Sequence, residues 1–235
     1  MFLRVFALVL ALAAVALVAA SGSGTRFGLW PYQVGFVLLR SAAYAGLGAA
    51  AVAMLALAIP RARRGHAAAL FATLLLGAGA AAVPLEFRRQ ASNVPRIHDI
   101  TTDTAHPPEF VATLALRAGA VNPPSYDGKE VAELQRKAYP DIRPLDLPVP
   151  PQQAFSKALA AAEAMGWEIV AKDLAAGRIE AVATTPWFGF KDDVVVRVTA
   201  ASRGSRIDVR SKSRLGRSDI GTNARRIRAY LERLK

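Results

Sequence analysis

Val194-Val195-Val196-Arg197-Val198-Thr199-Ala200, Ser202-Arg203-Gly204-Ser205 and Arg206-Ile207-Asp208-Val209-Arg210 form the stretch from which the fold is read. Val194, Val196, Val198 and Ala200 alternate with Val195, Arg197 and Thr199, a period of two that sends successive side chains to opposite faces of a strand. Ile207 and Val209 alternate in the same way with Arg206, Asp208 and Arg210. The four small and polar residues between the runs read as a tight turn, so the runs pair as an antiparallel hairpin.

Working backward, Ile179, Ala181 and Ala183 alternate with Arg178, Glu180 and Thr184, and Trp167, Ile169 and Ala171 alternate with Glu168, Val170 and Lys172. Both are strand patterns. Ahead of them, Pro150 and Pro151 suit a first helical turn, where a missing N–H is not needed. Phe155, Leu159, Ala162 and Met165 then recur at helical spacing until Gly166 stops the helix. Working forward, a last helix starts near Asp219 and carries Ile220, Ala224, Ile227, Leu231 and Leu234 on one stripe. A further short strand is expected near Pro144 to Val149. Strands joined by short turns make an antiparallel meander, which can bury one face and leave the other solvated. The fold class is therefore α+β: N-terminal transmembrane helices followed by a two-layer domain, with an antiparallel four- or five-stranded sheet and two helices.

The chain divides into three regions. Residues 148–235 form the α+β core and residues 90–147 a Pro-rich extension. In the extension Glu109 to Leu116 reads as a short strand and Lys129 to Ala138 as a short helix. Phe110, Val111, Leu114, Leu116, Tyr126 and Tyr139 give the extension apolar surface to bury, so it is expected to be ordered against the core. Residues 1–89 form a membrane region with three helices, at about 3–20, 36–59 and 67–85, since about 20 apolar residues span a bilayer. The first run, ending Val18-Ala19-Ala20 before Ser21-Gly22-Ser23-Gly24, also reads as a signal peptide. A retained helix is the preferred reading.

Composition agrees. The 235 residues are 53% hydrophobic, with a mean hydropathy of +0.25. Residues 1–90 hold eight Arg and one acid, whereas residues 91–235 hold twenty-two Lys or Arg and seventeen acids. A wholly soluble chain and an all-membrane transporter are both excluded. The apolar helices contain no interior Asp, Glu or Lys, the groups that mark ion pathways. Zero cysteines exclude disulfides, thiolate metal sites and Cys nucleophiles. Arg61, Arg63 and Arg64 crowd the short second loop, which the positive-inside rule places in the cytoplasm. The expected location is the cell inner membrane, multi-pass, with the C-terminal domain periplasmic. Arg88, Arg89 and Arg96, directly after the third helix, pull the other way.

Several strings are specific together: Ile97-His98-Asp99-Ile100-Thr101-Thr102-Asp103 with Pro107-Pro108-Glu109-Phe110, Asn122-Pro123 with Tyr126-Asp127-Gly128, and Gln135-Arg136 with Ala138-Tyr139-Pro140-Asp141. Ser213-Arg214, Gly216, Asp219, Gly221, Asn223-Ala224, Arg226-Ile227 and Tyr230-Leu231 complete the pattern. Residues 91–235 thereby resemble the bacterial domain-of-unknown-function family 1499, whose members often carry N-terminal membrane helices. The resemblance supports the domain boundary and the membrane location, and it implies no reaction, cofactor or catalytic residue.

Arg214, Asp219, Asn223 and Arg226 form the first candidate ligand-binding constellation. Asp219 suits a helix N-terminus, and Arg226 could pair with it or with Asp99 or Asp103 of the extension. The same residues read equally as a fold-holding network. His98, Asp99 and Asp103, with His106, are the only residues grouped like metal ligands, against a plainer reading as turn-forming side chains. Residues 197–235 carry twelve cations against three acids, a surface for anionic lipid headgroups or a membrane-protein partner, or simply a solvated face. No stacking aromatics interleave with them, which argues against nucleic acid. Trp187-Phe188-Gly189-Phe190 reads as an aromatic hairpin tip. No Gly-x-Ser-x-Gly elbow, phosphate loop or catalytic spacing is present, so catalytic residues are unknown and no cofactor is expected. The reading that follows is the lipid bilayer as partner and a binding or envelope-scaffold role. A metal-dependent or hydrolytic envelope enzyme and a structural subunit of a membrane complex are the alternatives.

Overall fold

The computed structural model describes residues 2–235, which group into two compact units. The first comprises residues 2–92 with Pro186–Gly189. Its helices are α1 (Phe2–Arg26), α2 (Tyr32–Ala58), a single turn α3 (Pro60–Arg63) and α4 (Ala67–Ser92). α1, α2 and α4 are each long and apolar enough to cross a membrane. Their packing inverts that of a soluble bundle. Ala7, Ala11, Ala14, Ala42, Ala49, Ala53, Ala56, Ala80 and Ala81 are buried between helices, whereas Phe6, Leu12, Phe36, Leu55, Phe71 and Leu75 point outward. Small residues let helix backbones approach where no hydrophobic effect drives association. Gly46 and Gly77 mark one such approach, between α2 and α4: a Cβ on Gly46 would lie 2.5 Å from the Gly77 carbonyl oxygen, and one on Gly77 2.7 Å from that of Gly46.

α1 runs through Ser21-Gly22-Ser23-Gly24, well past the apolar run that the sequence marks out. The Ser21, Ser23 and Thr25 hydroxyls donate back to the carbonyls of Val18, Ala19 and Ser21, so these residues cost the helix little by competing for its backbone. In the same unit the aromatic tip packs inward, with the Trp187 ring 5.4 Å from Phe87 and the Phe188 ring 5.2 Å from Phe36.

The second unit is built on one antiparallel six-stranded sheet: β1 (Asp99–Thr101), β2 (Leu145–Leu147), β3 (Glu168–Asp173), β4 (Arg178–Thr184), β5 (Lys191–Ala201) and β6 (Gly204–Ser213). The strand order is β1-β6-β5-β4-β3, with β2 also on β6. β3 to β6 are the expected meander, and β5 and β6 turn through Ser202-Arg203. β2 is the short strand expected near Pro144. The extension supplies β1 and β2, which lie end to end along the outer edge of β6, at Arg210–Lys212 and Ser205–Ile207 respectively.

Alternation sorts each strand between two environments. Ile179, Ala181, Val194, Val196, Val198, Ile207 and Val209 face α6 (Pro151–Ala164) and α7 (Thr222–Glu232), which contribute Phe155, Ala158, Ile227 and Tyr230 to one core. Tyr230 stacks on Trp167 at 4.9 Å and donates its hydroxyl to the Ala158 carbonyl at 2.9 Å. Burial raises its pKa far above the ordinary phenol value.

The opposite face is not solvated. Glu180, Asp193, Asp208, Arg210 and Lys212 lie on it and are buried, covered by irregular chain from the extension. There α5 (Lys129–Ala138) forms where expected, but the strand expected at Glu109 to Leu116 is instead a 3-10 turn, Ala112–Leu116. The amides of Val111, Ala112 and Thr113 all donate to the Glu180 carboxylate, at 3.0, 2.9 and 3.0 Å, and the Thr113 hydroxyl joins them at 3.0 Å. Three successive amides can converge on one carboxylate only if the chain curls. Val111, Leu114 and Leu116, expected to be buried, are consequently 50%, 45% and 44% exposed.

Candidate functional site

The charged face of the sheet is organised around the carboxylates of Asp99, Asp193, Asp208 and Glu180, with Asp103 and Asp127 beside them. Asp99 accepts from Arg210 Nε at 2.9 Å, from Arg210 Nη2 at 2.8 Å and from Lys212 Nζ at 3.1 Å. Lys212 is fully buried and completes its donor set with Asp127 Oδ1 at 2.6 Å and the Ser125 carbonyl at 2.7 Å. The Arg210 guanidinium lies between the rings of Phe110 and Tyr126, at 4.7 and 5.4 Å from their centroids, a favourable place for a desolvated cation. Burial and the nearby Asp99 push the Tyr126 phenol up to about 12. Asp193 holds Arg117 and receives Arg214 Nη2 at 2.6 Å. Asp208 takes Arg197 Nη2 at 2.9 Å and contacts Arg206 Nε at 3.4 Å. These two arginines also flank Asp103, each at 3.3 Å. Burial pushes the Asp103 and Glu180 carboxyls up, but the amides donating to each, with Arg206 and Arg197 beside Asp103 and the Thr113 hydroxyl on Glu180, outweigh it, and both end below their ordinary values.

The sequence-derived constellation is divided between the two faces of the sheet. Arg214 lies on the charged face with Asp193. Asp219, Asn223 and Arg226 lie on the helix face. Asp219, two residues before the Gly221 N-cap of α7, accepts from the amides of Gly221 at 2.8 Å and Asn223 at 2.7 Å at the start of that helix. Its partner is not Arg226. Arg226 Nη2 reaches Asp192 Oδ2 at 2.6 Å, and its Nη1 donates to Ser211 Oγ and Asn223 Oδ1. Burial pushes the Asp219 carboxyl up, more than the two amides lower it.

Nor do His98, Asp99 and Asp103 converge. His98 Nε2 lies 3.3 Å from Asp127 Oδ2, Asp99 is occupied by two cations, and Asp103 caps the amides of Ala105 and His106 at 3.0 and 2.9 Å. Among the described residues no three His, Asp or Glu side chains are placed to hold a metal ion. The basic tail is likewise largely paired: Arg210, Lys212, Arg214, Arg226 and Arg228 all meet acids. Sequence reasoning missed Asp192, Asp193 and Asp127 as partners. The available signal was Asp192-Asp193 opening a valine strand: adjacent residues of a strand face opposite sides, so each face receives one carboxylate.

One open feature remains on the charged face. A cleft of about 530 Å³ lies between residues 105–111 of the extension and the β3–β4 turn. Val195 lies in its floor, Arg178 and Arg197 flank it, and Ala176 stands on its rim.

The class these features define is a protein with three potentially membrane-spanning helices and an α+β domain whose charged sheet face is closed by ion pairs. The chain belongs to the DUF1499 family of proteins of unknown function, whose model matches residues 99–234, from the first residue of β1 to just beyond the last helix. Comparisons with curated proteins and with solved structures gave no match.

Proposed function

We propose that this DUF1499 protein is an inner-membrane protein that displays its α+β domain in the periplasm and works there by binding, as a scaffold or ligand-contacting module of the envelope. The observation that carries the reading is the pair of helices α2 and α4 joined by a short segment holding Arg61, Arg63 and Arg64. Cationic short loops are retained on the cytoplasmic side, so α4 leads outward and everything after Ser92 lies outside. The positioned charges support a binding role rather than leave it to analogy. Asp99, Asp193, Glu180 and Asp208 fix the extension and its neighbouring loops to the sheet, which gives a preorganised surface.

Reporter fusions test the orientation. A periplasm-active reporter placed after Lys235 should be active, and a cytoplasm-active one should be active at Gly65. The opposite pattern at both positions overturns the proposal.

A further inference from the structure

The apolar helices turn large hydrophobic side chains outward, and α2 departs from that rule. Its outward stripe runs Val37, Arg40, Tyr44, Leu47, Ala51 and Met54. Arg40 is exposed and Tyr44 is 70% exposed. Among the described residues neither side chain has a hydrogen-bond, ion-pair or ring partner. The outward surfaces of α1 between Val5 and Ala20, and of α4 between Ala67 and Leu85, carry no polar side chain. At a rise of 1.5 Å per residue, Arg40 stands about 12 Å along α2 from Tyr32, and Tyr44 about 18 Å, close to the middle of the helix. In a bilayer, an arginine at the first depth extends its head toward the headgroups. The Tyr44 phenol has no such reach, and interfacial tyrosines belong at the ends of spans. Hydrocarbon offers a hydroxyl or a guanidinium no bond, so polar groups at these depths meet a partner.

Charge identifies that partner. Residues 1–85 contain no Asp or Glu, and Glu86 is already bonded by Arg89 Nε at 2.7 Å and by Gln90 at 3.0 Å. A second copy of this chain would bring another unneutralised arginine to the contact, not an acid. We propose that the Arg40–Tyr44 face of α2 docks a membrane-spanning helix of a different protein, one carrying an Asp or Glu level with Arg40. The carboxylate neutralises the guanidinium and accepts from the Tyr44 hydroxyl, and the small Ala51 admits the partner's backbone further along the stripe. The proposal goes beyond the binding role of the α+β domain. It rests on α2 spanning a bilayer, not on which side holds that domain.

Photocross-linking of the full chain in cells tests it, with benzoylphenylalanine in place of Leu47. One heavier adduct is expected, its cross-linked segment an apolar span that holds Asp or Glu, and Arg40→Gln should abolish it at an unchanged protein level. The same group in place of Leu75, on the outward face of α4, should give none. No adduct, or adducts only with lipid, with a second copy or with a span lacking an acid, would overturn the proposal. So would an adduct that survives Arg40→Gln or forms equally from Leu75. Reconstitution supplies a second reading. In phosphatidylcholine vesicles, a synthetic leucine helix with one Glu level with Arg40 should bind the chain at least tenfold more tightly than its Gln counterpart. Tyr44→Phe should narrow that difference and Arg40→Gln remove it. Equal binding of the two helices contradicts the proposal, as does a preference that vanishes when phosphatidylglycerol is added, since lipid phosphate then occupies Arg40. The reporter fusions have an independent outcome, so a wrong orientation and an unoccupied face are told apart.

Discussion

Arg226 on α7 and Asp192 on β5 form a buried ion pair, Nη2 to Oδ2 at 2.6 Å, with the two side chains 7% and 3% exposed. Asn223 and Ser211 complete the arginine's bonding, so the last helix is fixed to the sheet by a polar junction as well as by Ile227 and Tyr230. Removing one partner of a buried pair leaves the other charge uncompensated, at about 3–5 kcal/mol. Arg226→Ala should therefore lower the unfolding temperature of the domain by roughly 10 °C. Arg233, whose guanidinium meets only the Met165 sulfur among the described residues and on an exposed surface, should change to Ala with almost no effect. Calorimetry on the two variants checks both.

Arg228 and Asp141 provide the contrast. Their bonds are equally short, 2.7 Å from Nη2 to Oδ1, but the side chains are 41% and 53% exposed. Water screens such a pair, and losing it costs under about 1 kcal/mol. Asp141→Asn should shift the denaturant midpoint slightly, where Asp99→Asn, which leaves Arg210 and Lys212 sharing less negative charge in a buried site, should shift it severely. Equal shifts for the two variants would contradict this assignment.

Acid should loosen the extension through Glu180. Its folded pKa is depressed, so its contribution is present above the ordinary glutamate value, about 4.3, and is lost as pH falls through the folded value. Asp219 has the opposite sign. Its folded pKa is raised, so its contribution is present below the ordinary aspartate value and is lost as pH rises through the folded one. Glu180→Gln should weaken the protein at neutral pH and flatten its acid limb, read as the unfolding midpoint between pH 3 and 7. An unchanged limb would show that Glu180 does not anchor the 3-10 turn.

Gly46 and Gly77 set the separation of α2 and α4. Gly46→Leu should force the helices apart, since even the first side-chain atom would lie 2.5 Å from a carbonyl oxygen. Gly79, with open space around it, should accept the same change. Thermal stability of the chain in detergent, followed through helical circular dichroism, separates the two.

Periodicity made β3 to β6, α5, α6 and α7 legible because each carries its own pattern, period two or near 3.6, within a few residues. What the sequence hid is determined at long range. The turn at Ala112–Leu116 exists because Glu180, 67 residues further along the chain from Thr113, collects its amides. Arg226 prefers Asp192 over the Asp219 nearer in sequence because strand pairing, invisible in one dimension, brings the start of β5 alongside the end of β6, within reach of α7. The cations of the tail read as an open patch, since nothing in their spacing reveals that Asp99, Asp127 and Asp193 arrive to meet them.

The central position of β6 has a consequence for the order in which the protein can be made. β6 pairs with β5 along one edge and with β1 and β2 along the other, and it comes late in the chain, at Gly204–Ser213. Until it emerges, β1 and β2 have no strand to join, and Asp99 waits for cations 111 and 113 residues away. Contacts of such separation are closed slowly. A nascent chain can therefore pair β3, β4 and β5 as they emerge, but it carries β1, β2 and the rest of the extension unpaired until β6 is made, so the two ends of the domain are joined last.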